Sequence, residues 1–166
     1  KTSLIIKTVS DNPGKNICII TPTKSLLAQT RKRILNANIG WVTKIVVHPD
    51  MYNPGDAHCV AVLTQERLLR LLKNNPELTF DYVIVDEAHR FSNRPDFLND
   101  KFKYMLGLSA TPFSGKNVAK GEELMAFFGG QVFNLPIEDA MEKGFLVDYY
   151  YYPIFVNATD DEEATF

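Results

Sequence analysis

Cysteine and metal-binding patterns are scarce in this sequence of 166 residues. Its two cysteines, Cys18 and Cys59, each lie in an apolar, strand-like run and do not form a Cys-x-x-Cys pair. Neither a disulfide framework nor a zinc site is therefore indicated, and we expect two buried thiols. His48 and His58 lie apart from other ligand-type residues in the sequence, so we assign them no metal.

Long apolar segments are also lacking. Runs such as residues 17–20 and 83–85 are far shorter than the roughly 20 residues needed to cross a bilayer, and no signal-peptide pattern opens the chain. We therefore predict an intracellular protein, cytoplasmic or nuclear, without membrane contact. With 45% hydrophobic and 23% charged residues, the composition excludes disorder as the main state and fits one globular domain.

The sequence has little net charge. Its formal charge is −2, and an acidic tail at residues 160–163 holds four of the 20 acidic residues. A balance this weak neither supports nor excludes a nucleic-acid partner. Any binding of a phosphate backbone must therefore come from a few specifically positioned side chains and backbone amides.

Short β-rich runs alternate with helical stretches, and this alternation is typical of a parallel sheet flanked by helices. We therefore predict an α/β fold. The predicted strands are residues 17–21, 42–47, 59–64, 82–86, 104–109 and 132–135, and the predicted helices are residues 2–9, 25–36, 65–73, 121–128 and 137–143. Residues 149–156 carry Pro153 and form either an edge strand or, as we predict, an exit toward a further domain.

An acidic box, Asp86-Glu87-Ala88-His89, directly follows the predicted strand at 82–85. Ligands of open α/β sheets bind at the carboxyl ends of the strands. Asp86 there can hold Mg²⁺ while Glu87 orients and deprotonates a water for nucleotide hydrolysis. The alternative is an acidic helix cap. The functional interpretation is favoured because this tetrapeptide arises by chance on the order of once in a thousand chains of this length.

Two further patterns extend this site. Ser109-Ala110-Thr111-Pro112 ends the next predicted strand, so its hydroxyls can bond to the acids or to His89, although such a turn alone is more often a helix cap. Lys1 and Thr2 precede an apolar helix, as the last two positions of a phosphate loop do. That pair alone has almost no specificity, and the two downstream motifs give it weight.

The motifs together resemble those of superfamily 2 helicases and translocases of the DEAD/DEAH-box type. Lys1-Thr2 is similar to motif I, Thr21-Pro22-Thr23 with Gln29 to motif Ia, Thr64 to Leu68 to motif Ib, Asp86 to His89 to motif II, and Ser109 to Thr111 to motif III. Their order and spacing match the first RecA-like lobe of these P-loop motors. Residues 137–147 are similar to the end of that lobe in translocating subunits of restriction enzymes.

The resemblance implies ATP and Mg²⁺ as cofactors and assigns roles by motif. Glu87 and Asp86 would be catalytic, and Asp86 and Thr2 would bind the metal. Nucleotide contacts would come from Lys1, Thr2 and His89, whereas Ser109 and Thr111 would couple nucleotide state to movement. Contacts to DNA or RNA would come from Pro22, Thr23, Gln29, Thr64 and Arg67.

Simpler roles stay open for several of these residues. Thr23 can serve only as a helix cap, and Arg67 can be a solvated helix residue. The basic cluster Arg31-Lys32-Arg33 either extends a phosphate track or forms a solvated face. The tyrosines at 149–152 either stack on bases or cover the end of the sheet.

The resemblance also predicts the organisation of the chain. Residues 1–148 would form the first lobe, cut within the phosphate loop, and residues 149–166 would lead toward a second RecA-like lobe that carries an arginine finger. We expect little activity from these residues alone, since that arginine typically contributes about 10³ to 10⁵ in rate. The predicted function is ATP-driven movement on, or unwinding of, DNA or RNA. The alternatives are a duplex-DNA translocase that does not separate strands and a catalytically silent, nucleic-acid-binding scaffold.

Overall fold

The computed structural model describes residues 1–54, 58–92, 94–111, 118–147 and 152–153. The chain divides into two compact units, residues 1–130 and residues 131–166. Most of the predicted exit segment at 149–166 lies outside the described residues. Within the described part of the chain, no helix is long and apolar enough to cross a membrane.

The first unit contains a five-stranded sheet in which every pairing is parallel. Along the chain, the strands are β1 Ile17–Ile20, β2 Ile45–Val46, β3 Val60–Leu63, β4 Phe80–Asp86 and β5 Phe102–Leu108. Across the sheet, they lie in the order β2-β3-β1-β4-β5. This confirms the predicted α/β fold with a parallel sheet. β2 is only two residues long, and β4 and β5 each begin two residues earlier than the sequence pattern predicts.

The helices occupy the predicted segments. They are α1 Thr2–Asp11, α2 Lys24–Asn36, α3 Gln65–Asn74 and α4 Val118–Phe128 in the first unit, and α5 Ile137–Glu142 in the second. Short 3-10 helices cover Pro49–Met51, Ala88–Arg90 and Asp96–Lys101, and the sequence patterns did not predict them. α4 ends at Gly129 and Gly130, whose φ angles of +78° and +109° lie in a region that favours glycine.

Helices cover both faces of the sheet. On one face, Ile17 and Ile19 of β1 pack in a cluster with apolar residues of α1 and α2, and Trp41 lies at its margin. On the other face, Cys18 and Ile20 pack in a cluster with residues of α3 and α4. Alternate residues of one strand therefore face two different cores, which explains why β1 is apolar at consecutive positions.

Both cysteines belong to the sheet core, and they are buried thiols that form no disulfide, as predicted. Burial raises the pKa of the Cys18 thiol well above its usual value, and the nearby Cys59 raises it further. The Cys18 thiol is therefore protonated at neutral pH.

The strand predicted at residues 132–135 is wrong, because these residues have no strand structure. Val132 and Phe133 are 87% and 76% exposed. Their β-forming composition is a local preference, and a strand requires a neighbour to pair its backbone groups. Gly130 with φ +109° precedes the segment, and Pro136 follows it.

The amino ends of three strands are joined through one residue, Asn16. Its backbone N–H donates to Asp81 Oδ2 at 3.0 Å, and its carbonyl accepts from the Asp81 N–H at 2.8 Å. Its side-chain Oδ1 accepts from the N–H of Cys59 at 2.9 Å. Since Asn16 precedes β1, Asp81 lies in β4 and Cys59 precedes β3, these bonds set the alignment of the three central strands.

We expect Asn16→Ala to destabilise the domain by about 1–3 kcal/mol, because it leaves the N–H of the buried Cys59 without its acceptor. The free energy of unfolding in urea measures this loss. Asn12→Ala is the matched control, since the Asn12 side chain bonds to the Thr8 carbonyl of its own helix. Equal unfolding free energies for the two variants would contradict the role given to Asn16.

Candidate functional site

The carboxyl ends of the central strands meet at one edge of the sheet. The register pairs Ile20 of β1 with Val85 of β4, and Asp86 of β4 with Leu108 of β5. The residues that follow these strands therefore lie next to one another, with those after β1 on one side of β4 and those after β5 on the other. This register brings motifs Ia, II and III of the sequence to a single edge.

The acidic box turns the chain sharply at Glu87. This residue is in the left-handed region, with φ 50° and ψ 51°, although it is not glycine. Its N–H donates to Asp86 Oδ1 at 3.1 Å, and its carbonyl accepts from the N–H of Arg90 at 2.8 Å. For a residue with a side chain this conformation costs roughly 1–2 kcal/mol, and such strain tends to occur at functional sites.

An ion pair joins the beginning of the chain to the acidic box. Lys1 Nζ lies 2.6 Å from Glu87 Oε1, and the two side chains are 31% and 29% exposed. A pair this open to solvent contributes at most about 1 kcal/mol to stability. Its main consequence is geometric, because it holds Lys1 at the start of the chain against Glu87 of the acidic box.

The next residue, Thr2, is bonded to a different helix. Its hydroxyl accepts a hydrogen bond from the guanidinium of Arg33 in α2. Sequence reasoning grouped Arg33 with Arg31 and Lys32 as one basic run, and the structure instead directs Arg33 to motif I. This contact could have been anticipated from sequence only by knowing how α1 and α2 pack.

His89 and Ser109 meet as the adjacent motifs predict. The Nδ1 of His89 lies 3.0 Å from Ser109 Oγ and 3.6 Å from Glu87 Oε2. Ser109 Oγ also accepts a hydrogen bond from the N–H of Thr111 at 3.1 Å. Because Ser109 Oγ uses a lone pair for the Thr111 N–H, its own proton can be donated to His89 Nδ1 in the tautomer in which Nδ1 is an acceptor. The contact links the end of β5 to the acidic box.

Two predicted nucleic-acid residues are helix caps. Thr23 Oγ1 accepts from the N–H of Leu26 at the start of α2, and Thr64 Oγ1 accepts from the N–H of Arg67 at the start of α3. Arg67 donates from Nη1 to the carbonyl of Val47 at 2.8 Å. The Thr23 cap is the simpler role that the sequence left open, whereas Arg67 is half-buried and hydrogen-bonded and is not a solvated helix residue. The predicted contacts with DNA or RNA stay predictions.

The remaining nucleic-acid candidates are Pro22 and Gln29. Pro22 lies at the wall of a small cleft of about 140 Å³ at the carboxyl edge, and Gln29 is exposed on α2. The cleft is lined by Ile20, Thr21, Pro22, Gln65, Val85, Asp86, Glu87, Arg90 and Phe91. It therefore lies on the β1 side of the acidic box, whereas Ser109 lies on the β5 side.

Sequence reasoning missed three polar residues around the site. Gln65 Nε2 donates to the carbonyl of Ser92 and so ties the start of α3 to the segment after motif II. Arg90 lines the cleft. Arg94 pairs with Glu123 of α4 and lies over the ring of Phe127, 4.7 Å from its centroid. Gln65 lies within motif Ib and Arg90 directly follows motif II, and these positions are the one signal that could have found them.

The donor set fits the proposed cofactors. Asp86 offers a carboxylate and Thr2 a hydroxyl, which are the hard oxygen ligands that Mg²⁺ takes. Among the described residues, no cluster of three or more His, Cys, Asp or Glu could hold a metal without help.

Comparisons with known proteins agree with this geometry. The family model described as type III restriction enzyme, res subunit, matches residues 1–114. Among solved structures, the fold matches a nuclease-deletion mutant of the Type ISP restriction-modification enzyme LlaGI in complex with a DNA substrate mimic, with a TM-score of 0.58 and 18% identity. The match covers 85% of this chain and 17% of that chain. No curated protein matches. The parallel sheet and this structural likeness confirm the predicted RecA-like lobe.

The strained conformation of Glu87 yields a stability test. We expect Glu87→Gly to be more stable than Glu87→Ala by roughly 0.5–1 kcal/mol, because glycine adopts a positive φ without the steric cost that alanine pays. Both variants lose the Lys1 ion pair equally, so the difference isolates the backbone. Thermal melting of the pair measures it, and a more stable alanine variant would show that Glu87 is not strained.

Proposed function

Since this chain belongs to the family of type III restriction enzyme res subunits and has their superfamily 2 helicase-like lobe, we propose that it is the ATP-binding lobe of a nucleic-acid helicase or translocase. The observation that supports this most directly is the convergence at the carboxyl edge. Lys1 reaches Glu87, and His89 reaches Ser109, each within hydrogen-bond distance. Motifs I, II and III thus meet in one place.

Lys1 and Thr2 are the proposed phosphate and metal contacts of motif I. The ammonium of Lys1 would hold the β- and γ-phosphates, and the Thr2 hydroxyl with Asp86 would hold Mg²⁺. When bound, Mg²⁺ neutralises charge on the phosphate oxygens during transfer. Thr2 must then exchange or share the hydrogen bond that it now accepts from Arg33, so Arg33 and the cation compete for the same oxygen.

Glu87 is the proposed general base, and its ion pair with Lys1 is the proposed arrangement before a nucleotide binds. As long as Lys1 is paired with it, the carboxylate oxygen Oε1 is engaged. If the Lys1 side chain bound a phosphate of the nucleotide instead, Glu87 Oε1 would be free to accept a proton from the attacking water. Nucleotide binding and activation of the base would thereby be linked through one lysine.

His89, Ser109 and Thr111 are proposed to couple the nucleotide state to movement. His89 Nδ1 lies between Ser109 Oγ and Glu87 Oε2, at 3.0 and 3.6 Å. The imidazole therefore has two competing partners, one at the end of β5 and one in the acidic box. A change at Glu87 would shift this balance and reach Thr111 through its bond to Ser109.

The proposed path of DNA or RNA runs along the starts of α2 and α3, where Pro22, Thr23 and Thr64 lie. Helix amino termini offer N–H groups that hold a phosphate without reading sequence. Gln29 is exposed on α2. Arg67 uses one N–H on Val47 and has others for a phosphate. A second RecA-like lobe would complete the ATP site with its arginine.

The proposal is tested with the full-length protein. We expect ATP hydrolysis that depends on Mg²⁺ and rises when single-stranded DNA, duplex DNA or RNA is added. A strand-displacement assay with the same substrates separates a helicase from a translocase that leaves the duplex intact. Absence of any nucleic-acid-stimulated hydrolysis would overturn the proposal and favour the silent scaffold.

Glu87→Gln should separate binding from chemistry. The amide keeps the size of the side chain but cannot accept the proton of water, so ATP should still bind while hydrolysis falls by roughly 10² to 10⁴. Fluorescent-nucleotide binding and steady-state ATPase measure the two effects. Asp86→Ala should instead weaken Mg²⁺-dependent nucleotide binding. Normal turnover by Glu87→Gln would show that the base is another residue.

Replacing Ser109 and Thr111 by alanine should uncouple movement from hydrolysis. The double variant removes the hydroxyl that contacts His89, yet it keeps Lys1, Asp86 and Glu87. We expect most of the ATPase rate to survive, while translocation or unwinding per ATP consumed falls steeply. If the hydroxyls are only caps, thermal stability and both activities should decline together. An unchanged ratio of movement to ATP consumed would reject the coupling role.

A further inference from the structure

Arg90 is a polar residue of the cleft to which the motifs assign no role. It lies on the 3-10 helix Ala88–Arg90, directly after the acidic box, and its side chain is exposed. It lines the cleft together with Pro22 and Gln65, and Asp86 and Glu87 of the acidic box line the same cleft, so a bound anion would have to sit on the Arg90 side of it. In the part of the chain that the structure describes, no acidic side chain forms an ion pair with Arg90. Its guanidinium, which makes no ion pair with the described residues, is the group that we consider for binding an anion.

The position of Arg90 differs from that of His89 in a way that follows from helix geometry. A 3-10 helix has three residues per turn, so consecutive side chains project about 120° apart. His89 projects to Ser109 at the end of β5. Arg90 instead reaches the cleft at the ends of β1 and β4. His89 and Arg90 therefore lie on opposite sides of β4.

Arg90 is also bonded directly to the proposed base. Its N–H donates to the carbonyl of Glu87 at 2.8 Å and closes the turn in which Glu87 is strained. Two residues farther on, the carbonyl of Ser92 accepts from Gln65 at the start of α3. The backbone around Glu87 is thus connected to both Arg90 and the helix whose first turn is proposed to contact nucleic acid.

We propose that Arg90 binds a phosphate of the nucleic-acid backbone at the mouth of this cleft, and that it acts as a positioning residue that reports the presence of the strand to Glu87. The inference rests on the proposed function. A phosphodiester matches the site because Arg90 offers a planar set of donors.

The test uses the full-length protein with fluorescently labelled single-stranded DNA and its duplex. Binding is measured by anisotropy over a series of salt concentrations. For Arg90→Ala we expect roughly tenfold weaker binding and a slope of log affinity against log salt that is smaller by about 1, as expected for one lost phosphate contact. The DNA concentration that half-maximally stimulates the ATPase should rise in parallel.

Two further variants make the result specific. Arg90→Lys keeps the charge, so it should restore most of the salt slope but only part of the affinity, since lysine lacks the planar set of donors. Lys15→Ala is the control, because it removes one exposed positive charge before β1, at the opposite edge of the sheet. It should change neither the slope nor the half-stimulating DNA concentration.

The possible failures are distinct. If the wild-type protein shows no salt-dependent affinity for either DNA or for labelled RNA of the same sequence, the proposed function fails and this inference fails with it. If the wild-type protein binds but Arg90→Ala keeps the same affinity and slope, Arg90 is a solvated arginine and only the inference is overturned. An equal loss for Lys15→Ala would show a general effect of charge and would likewise overturn it.

Discussion

The alignment of β4 between β1 and β5 is the constraint on which the site depends. A parallel strand displaced by one residue would present its other face to each core and would move Asp86 away from the ends of its neighbours. Asn16 opposes such a slip, because it bonds Asp81 and Cys59 at the amino ends of β4 and β3. The hydrogen bonds of Asn16 at the amino edge of the sheet thus determine which groups meet at the carboxyl edge. The two edges are separated by the four residues of β1.

Glu87 shows how that alignment is used. The strand delivers Asp86 to the edge, and a left-handed residue then turns the chain so that a short helix begins at once. Within four residues, Glu87 to Arg90, the chain presents an acid, an imidazole and a guanidinium in different directions. The strain at Glu87 is therefore compatible with a compact site that faces two neighbouring strands.

The sequence alone predicted most of this arrangement. Apolar runs and helix caps are local signals, so the parallel fold, the helices and the meeting of His89 with Ser109 could be anticipated. The strand at 132–135 was wrong because pairing is not a local property. The contacts of Arg33 with Thr2 and of Arg94 with Glu123 join residues 29 or more positions apart. Charge patterns could not reveal them without the packing of the helices.

Trp41 has a practical consequence for experiments on this chain. It is the single tryptophan of the sequence, and it lies at the margin of the cluster formed with α1 and α2. Its buried indole N–H has no hydrogen-bond partner among the described residues. Its emission spectrum therefore reports solvent entry on that face of the sheet and not on the face covered by α3 and α4. Compared with circular dichroism, the fluorescence would show whether the two helical layers separate from the sheet at once or in succession.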